Sequence, residues 1–271
     1  MNPYIINTEF IQIKWYSVLI IFGLLISFFW MIKEAKRFSL SKEFIINLIF
    51  WTIIFGIIGA RVYYVLFNLD YYLSNPSEII KIWNGGIAIH GALIFGIITI
   101  FIYCKKYKIS TLRILDMASP CVLLAQAIGR WGNFFNSEAY GVQTTLAALE
   151  KLHLPKFIIE GMYINGHYYT PTFLYESLWC LLGVVILLVI RRRKYTKVGY
   201  QTGFYMIWYS VGRFYIESLR MDSLMFNNLR VAQFVSVSLL VIGLIIIMIK
   251  YMKPKLEDLY NTDEKIEPKR F

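Results

Sequence analysis

Gly129-Arg130-Trp131-Gly132-Asn133-Phe134-Phe135-Asn136-Ser137-Glu138 closes one of the long apolar stretches of this chain and sets an arginine, two asparagines and a glutamate where lipid tolerates almost nothing polar. A charge at mid-membrane depth costs roughly 2.5 to 3.5 kcal/mol on insertion scales, so a cluster of this kind marks a site inside a helical bundle. The fold follows from reading this stretch as the polar end of a membrane helix.

The rest of the chain agrees. Its 271 residues are 58% hydrophobic and 17% aromatic, with a mean hydropathy of +0.54, which excludes an ordinary water-soluble domain and specifies an all-α integral membrane protein. Apolar runs long enough to cross a bilayer as helices occur at about 13–32, 44–68, 86–103, 114–136, 172–190, 200–219 and 231–250, seven in all. The fourth is interrupted by Asp116, Pro120, Gln126 and Arg130, and is tolerable only if protein covers its polar side. The third and sixth are short.

Basic residues collect in alternate connections: Lys33, Lys36, Arg37 and Lys42; Lys105, Lys106, Lys108 and Arg113; Arg191, Arg192, Arg193, Lys194 and Lys197; then Lys250, Lys253 and Lys255. By the positive-inside rule these face the cytoplasm, which places the N-terminus outside and the C-terminus inside. The net charge of +11 then faces anionic lipid, so no nucleic-acid partner is expected. The first twelve residues lack the basic region of a cleavable signal peptide, so the first span is retained. Cys104, Cys121 and Cys180 are odd in number and lack ligand-like spacing, which argues against a disulfide framework and a zinc site and makes them packing residues.

One membrane domain is expected over residues 1–252, with an external cap at 137–170. Within the cap, Asn165-Gly166 between Met162-Tyr163-Ile164 and His167-Tyr168-Tyr169 predicts a β-hairpin. The tail 253–271 alternates charges and reads as disordered. No internal repeat is visible.

With topology set by the cations, the helix rise of 1.5 Å per residue assigns each polar residue a depth. Tyr16, Arg61, His90, Arg130, Asn133, Asn136, Tyr175, Glu176, Tyr209, Arg213, Glu217 and Arg220 all fall near the outer ends of their spans, while the inner halves carry little beyond Thr52, Thr99 and Gln201. Positions 209, 213, 217 and 220 step by four, four and three, which makes one stripe on a helix. Gly85, Gly86, Gly91 and Gly96 around His90 permit close backbone approach. The pattern describes a polar chamber open toward the outer leaflet.

Each residue also has a structural reading. Arg213 with Glu217 makes an intrahelical ion pair, Arg61 can snorkel to lipid phosphates, Arg130 has Glu138 as a partner, and His90 can be a satisfied core histidine. Asn133 and Asn136 can hydrogen-bond between helices, and Tyr16, Tyr175 and Tyr209 can belong to an interfacial belt. Their common depth is what favours a site. At least two guanidinium groups at headgroup depth suit an anionic lipid, because the planar fork grips phosphate oxygens bidentately and stays charged. A histidine nearby can accept a proton from a nucleophile. No serine elbow, HExxH or DxD-like cluster occurs, so no metal or cofactor is expected.

Gly129-Arg130-x-Gly132-Asn133-Phe134-x-Asn136-x-Glu138-x-x-Gly141 resembles the signature of the phosphatidylglycerol:prolipoprotein diacylglyceryl transferase family, bacterial inner-membrane enzymes that begin lipoprotein maturation. The resemblance extends to Trp15-Tyr16, Gly59-Ala60-Arg61, Gly85-Gly86 with His90-Gly91, Pro171-Thr172-Phe173-Leu174-Tyr175-Glu176, and Gly212-Arg213-Phe214 through Glu217 and Arg220. It implies a seven-span fold that takes phosphatidylglycerol and a prolipoprotein signal peptide with a lipobox cysteine, with its active site facing the outer leaflet. The diacylglyceryl group would move to the thiol, and glycerol 1-phosphate would depart. By position, Arg130 would hold the headgroup, Arg213 would be the second essential cation, and Asn133, Glu138 and Gly141 would complete the signature. Tyr16, Tyr209 and Glu217 also match functional positions, and His90 matches a histidine proposed as base. Ala92, where another glycine is expected, and Val142 after Gly141 depart from the pattern.

The chemistry also stands without the resemblance, since a thiol of pKa near 8.5 gains nucleophilicity from a base or a cationic field. Either His90 or water assisted by the arginines can take the proton. A transporter or scramblase would need polar residues through both halves of the bundle, and a noncatalytic lipid-binding scaffold would tolerate loss of His90.

Overall fold

The computed structural model describes residues 3–8, 12–193, 196–221, 225–226 and 229–252. Lys194, Lys253, Lys255 and the tail 253–271, expected to be cytoplasmic and disordered, lie outside the described residues. In chain order the elements are β1 (Tyr4–Asn7), β2 (Gln12–Lys14), α1 (Trp15–Ala35), α2 (Lys42–Leu66), α3 (Leu69–Ser74), α4 (Ile89–Lys106), α5 (Thr111–Phe135) and β3 (Gln143–Thr144). They continue as α6 (Leu146–Lys151), α7 (Lys156–Gly161), β4 (Tyr163–Ile164), β5 (His167–Tyr169), α8 (Thr172–Ile190), α9 (Tyr200–Ser218), β6 (Met225–Phe226), β7 (Leu229–Arg230) and α10 (Val231–Met252).

Every expected span is a helix. Six of them, α1, α2, α4, α5, α8 and α10, are long and apolar enough to cross a membrane. The 19 residues of α9 rise about 28 Å, but Gln201, Thr202, Ser210, Arg213, Glu217 and Ser218 leave it too polar to qualify on composition. The third expected span starts at Ile89 rather than 86, because Gly85 and Gly86 hold left-handed φ values of 85° and 75° that no helix continues through. The chain is mostly helical, and small antiparallel sheets at the helix ends correct the strict all-α expectation.

The described residues divide into two compact units, one over 3–31 and 115–252 and the other over 32–114. In the first, α5 and α8 share a core of Leu123, Ala127, Cys180, Val184 and Leu187, and Ser177 Oγ donates to the Ala127 carbonyl at 2.9 Å. Trp179 and Trp208 lock α8 to α9: their rings stack at 4.2 Å, and each indole N–H donates to the other residue's carbonyl at 2.9 Å. All three cysteines are buried and free, consistent with packing roles.

The hairpin forms as expected. Asn165 and Gly166 take φ values of 50° and 87°, the positive pair of a two-residue turn of primed type, and Ile164 pairs with His167. β3 adds a third strand through Gln143 and Tyr169. The segment packs on the end of α5 and the start of α8, where Phe134 and Phe173 stack at 4.5 Å among Leu149, Ile158 and Met162. In the second unit α2 and α4 run in close contact, with Gly91 set against the Gly59 carbonyl so closely that a Cβ would overlap it.

The polar interruption of α5 is covered by protein. Asp116 is fully buried and accepts from Gly199 N at 2.6 Å, Thr202 N at 2.8 Å and Thr202 Oγ1 at 2.5 Å. It thereby caps the N-terminus of α9 from another helix, satisfying donors the helix cannot satisfy itself. Asp116→Asn replaces one accepting oxygen with an NH2 group, and the orphaned donor is expected to cost about 1–3 kcal/mol. A lowered unfolding temperature in detergent micelles checks this, and an unchanged one would deny Asp116 the capping role.

Candidate functional site

Three helix ends of the first unit build the site. Arg130 and Asn133 lie one turn apart on α5, and Arg130 Nη1 donates to Asn133 Oδ1 at 3.3 Å. The other terminal nitrogen, Nη2, lies 2.6 Å from Glu176 Oε1. Glu176 sits in the second turn of α8, and its other oxygen accepts from Arg213 Nη1 of α9 at 3.1 Å. Arg213 Nη2 pairs with Glu217 Oε2 one turn on at 2.5 Å, and Arg220 Nη1 lies 3.7 Å from that oxygen. Arg230 Nη1 donates to the Glu217 carbonyl.

Glu176 and Glu217 are only 3% and 2% exposed, so these pairings offset their desolvation, and removing one partner from a buried pair costs about 3–5 kcal/mol. Three guanidinium groups, of Arg130, Arg213 and Arg220, thus face the two carboxylates at one end of the unit. The charge of Arg130 also reaches the phenols of Tyr16 and Tyr209. Tyr16 packs against Gly132 closely enough that a Cβ there would sit 2.6 Å from its ring, and Tyr209 stacks on Tyr205 at 6.0 Å. The expected stripe on α9 holds for Tyr209, Arg213 and Glu217; Arg220 lies just past the helix end and bridges to Gly141.

The end of the signature is a tightly determined turn. Ser137 and Ala139 hold left-handed φ values of 53° and 57°, sparsely populated conformations for non-glycine residues. Gly141 N donates to the Thr170 carbonyl at 3.0 Å, and Thr172 Oγ1 donates to the Ala139 carbonyl at 2.6 Å. Glu138 is exposed and accepts from Asn136 Nδ2 at 3.4 Å. This corrects the expected pairing of Arg130 with Glu138: Arg130 pairs with Glu176, because Glu138 lies beyond the last turn of α5.

The structure places Tyr16, Arg130, Asn133, Gly141, Glu176, Tyr209, Arg213 and Glu217 in one unit, and Arg61 and His90 in the other. Arg61 is not a snorkelling side chain. It is 7% exposed and donates to the carbonyls of Ile79, Gly85, Gly86, Glu78 and Lys81 at 2.8, 2.7, 2.7, 2.6 and 3.4 Å. The loop it ties down leads straight into α4, whose second residue is His90; that ring is exposed and lies 6.0 Å from the ring of Tyr63. A cleft of about 410 Å³ lies beside the same loop, lined by Arg61, Tyr64, Tyr72, Glu78 and Asn84 among others. The hydrogen bond from Lys81, then that from Asn84, hold the Glu78 carboxyl below its usual range. Among the described residues no group of three His, Cys, Asp or Glu is arranged to hold a metal ion.

Glu176 is the site residue that sequence reasoning undervalued. Its depth matched that of the arginines, but the pairing that makes it central joins residues 46 and 37 positions apart, which no local pattern reports.

Residues 3–249 match the family model described as prolipoprotein diacylglyceryl transferase. Proteins named phosphatidylglycerol–prolipoprotein diacylglyceryl transferase are similar over nearly the whole chain. The one from Listeria monocytogenes serotype 4a (strain HCC23) is 48% identical over 98% of this chain and 95% of its own. The one from Staphylococcus aureus (strain MSSA476) is 49% identical over 94% and 92%, and that of Staphylococcus carnosus (strain TM300) 48% over 92% and 91%.

Gly141→Ala tests the turn. A Cβ would overlap Thr170 Oγ1, lie 2.8 Å from Thr172 Cγ2 and lie 3.2 Å from the Leu219 carbonyl that precedes Arg220. Overpacking of about 1–3 kcal/mol is expected to lower the unfolding temperature, and a wild-type melt would show that the turn relaxes freely.

Proposed function

The chain belongs to the prolipoprotein diacylglyceryl transferase family, and on that premise we propose that it transfers the diacylglyceryl group of phosphatidylglycerol to the lipobox cysteine thiol of a prolipoprotein. The convergence of Arg130 and Arg213, from separate helices, on one carboxylate carries this reading: the two forks lie close enough to share one anion.

The thiolate sulfur attacks the glycerol carbon that bears the phosphate. The S–C bond forms, the C–O bond breaks, and the oxygen leaves with its electron pair as glycerol 1-phosphate. The diester carries one negative charge and the departing monoester close to two at neutral pH. Charge therefore grows on the phosphate during the step, and the guanidinium groups clustered around Glu176 and Glu217 suit that growth. Arg130 and Arg213 hold the phosphate, Asn133 orients Arg130, Glu217 orients Arg213, and Gly141 with Glu138 shapes the turn that brings Arg220 into place. The phenols of Tyr16 and Tyr209, within reach of the Arg130 charge, border the headgroup. His90 takes the thiol proton, a role that comes from the resemblance.

In this reading α9 is the seventh span, its polar stripe tolerated because it faces the arginine network. The basic connections face the cytoplasm of a bacterial inner membrane, the N-terminus lies outside, and the site opens to the outer leaflet.

Purified protein incubated with phosphatidylglycerol and a lipobox peptide is expected to add one diacylglyceryl mass to the peptide, and an unmodified peptide would refute the function. Arg130→Lys keeps the charge beside Glu176 but loses the fork, and is expected to cut transfer on the order of a hundredfold. Wild-type turnover would refute the bidentate grip. His90→Gln is expected to slow transfer most at low pH, where thiolate is scarce, whereas an unchanged pH–rate profile removes His90 from the base role.

A further inference from the structure

We propose that Glu176 is a product-release residue, whose carboxylate competes with phosphate for Arg130 and Arg213 and thereby expels glycerol 1-phosphate after transfer. The proposal rests on the function proposed above and deepens it.

The terminal nitrogens of both arginines face protein oxygens: Arg130 Nη1 faces Asn133 and Nη2 faces Glu176, while Arg213 Nη1 faces Glu176 and Nη2 faces Glu217. A phosphate gripped by the end of either fork competes with these contacts for the same nitrogens. Glu217 is a poor candidate for displacement, since Arg220 approaches its carboxylate and Arg230 binds its carbonyl. Glu176 holds each arginine by a single nitrogen. Its contacts are 2.6 Å with Arg130 and 3.1 Å with Arg213. Neither is a bidentate fork, which is the stronger arrangement, so each is open to exchange.

The stretch of α8 that carries the carboxylate is held in place. It projects from α8 next to Ser177, which bonds to α5, and three residues before Trp179, which bonds to α9. The arginines reach it on long stems, so exchange moves the guanidinium groups while Glu176 stays where it can recapture them.

Electrostatics supplies the need for such a device. A site that stabilises charge growing on phosphate binds the doubly charged product more tightly than the singly charged diester, and would be trapped by it. A resident carboxylate between the two cations offsets this gain, because every departing phosphate is replaced at once by an anion already tethered there. Glu176 acts through the arginines, so it is a positioning residue.

The test compares wild-type protein with Glu176→Gln in the transfer assay, using glycerol 1-phosphate as inhibitor. The inhibition constant is expected to fall about tenfold in the variant, equivalent to about 1.4 kcal/mol. The steady-state rate drops further than the rate of the first turnover does. If Glu176 serves only to hold the arginines in place, the variant instead binds the inhibitor more weakly and loses the first turnover, which overturns the proposal; so does an unchanged inhibition constant. Should Glu176→Gln not fold, Glu176→Asp keeps the charge but shortens its reach to both arginines. A smaller fall in the inhibition constant supports the proposal there, and an equal or higher one overturns it. Wild-type protein that neither modifies the peptide nor responds to glycerol 1-phosphate would instead strike down the functional reading.

Discussion

The Glu176 carboxylate, shared between a guanidinium of α5 and another of α9, is the contact on which the first unit depends. Buried at 3% exposure, it is tolerable only with both cations present, and each arginine is tolerable in an apolar bundle only with its anion. The requirement is mutual, and it fixes three helix ends at one place. Glu217 extends the network to Arg220 and Arg230, so the turn after α9 and the approach to α10 join the same arrangement.

Packing elsewhere in that unit keeps these ends registered. The reciprocal Trp179 and Trp208 hydrogen bonds fix the position of α8 along α9, and a slip of one residue would break both indole bonds and misplace Glu176 against Arg213. Asp116 caps α9 at its opposite end, so the helix that carries Arg213 is held at its first turn by a carboxylate of α5 and near its last turns by one of α8. Lys197 closes the same end by donating to the last carbonyls of α10 at 3.1 and 3.4 Å. In lipid, where the hydrophobic effect does little to press helices together, such polar and close-packed contacts carry the specificity.

The second unit applies the same logic to a loop. Arg61 gathers five backbone carbonyls from residues 78–86 with one buried side chain. Two of them, of Glu78 and Lys81, also accept backbone bonds from Lys81 N and Asn84 N in the short turns there. The loop is thereby held against α2, and its exit into α4 sets the direction in which His90 leaves the backbone.

Composition, charge and periodicity determined much by themselves. Twenty-residue apolar runs admit no other structure in lipid than helices, so all seven helices were legible, as were the hairpin at Asn165-Gly166 and the stripe of Tyr209, Arg213 and Glu217, because each depends on neighbours within a turn or two of chain. Placement near a helix end was legible for Arg130, Glu176 and Arg213 as well, since helix rise is constant. Partners were not. Arg130 chose Glu176 over the nearby Glu138, and Arg61 chose backbone carbonyls over lipid, because a buried charge pairs with whatever the packed helices bring within about 3 Å. That distance is set by contacts dozens of residues apart. The chain alone therefore specified which groups lie toward the ends of their helices, and tertiary packing decided which of them hold one another.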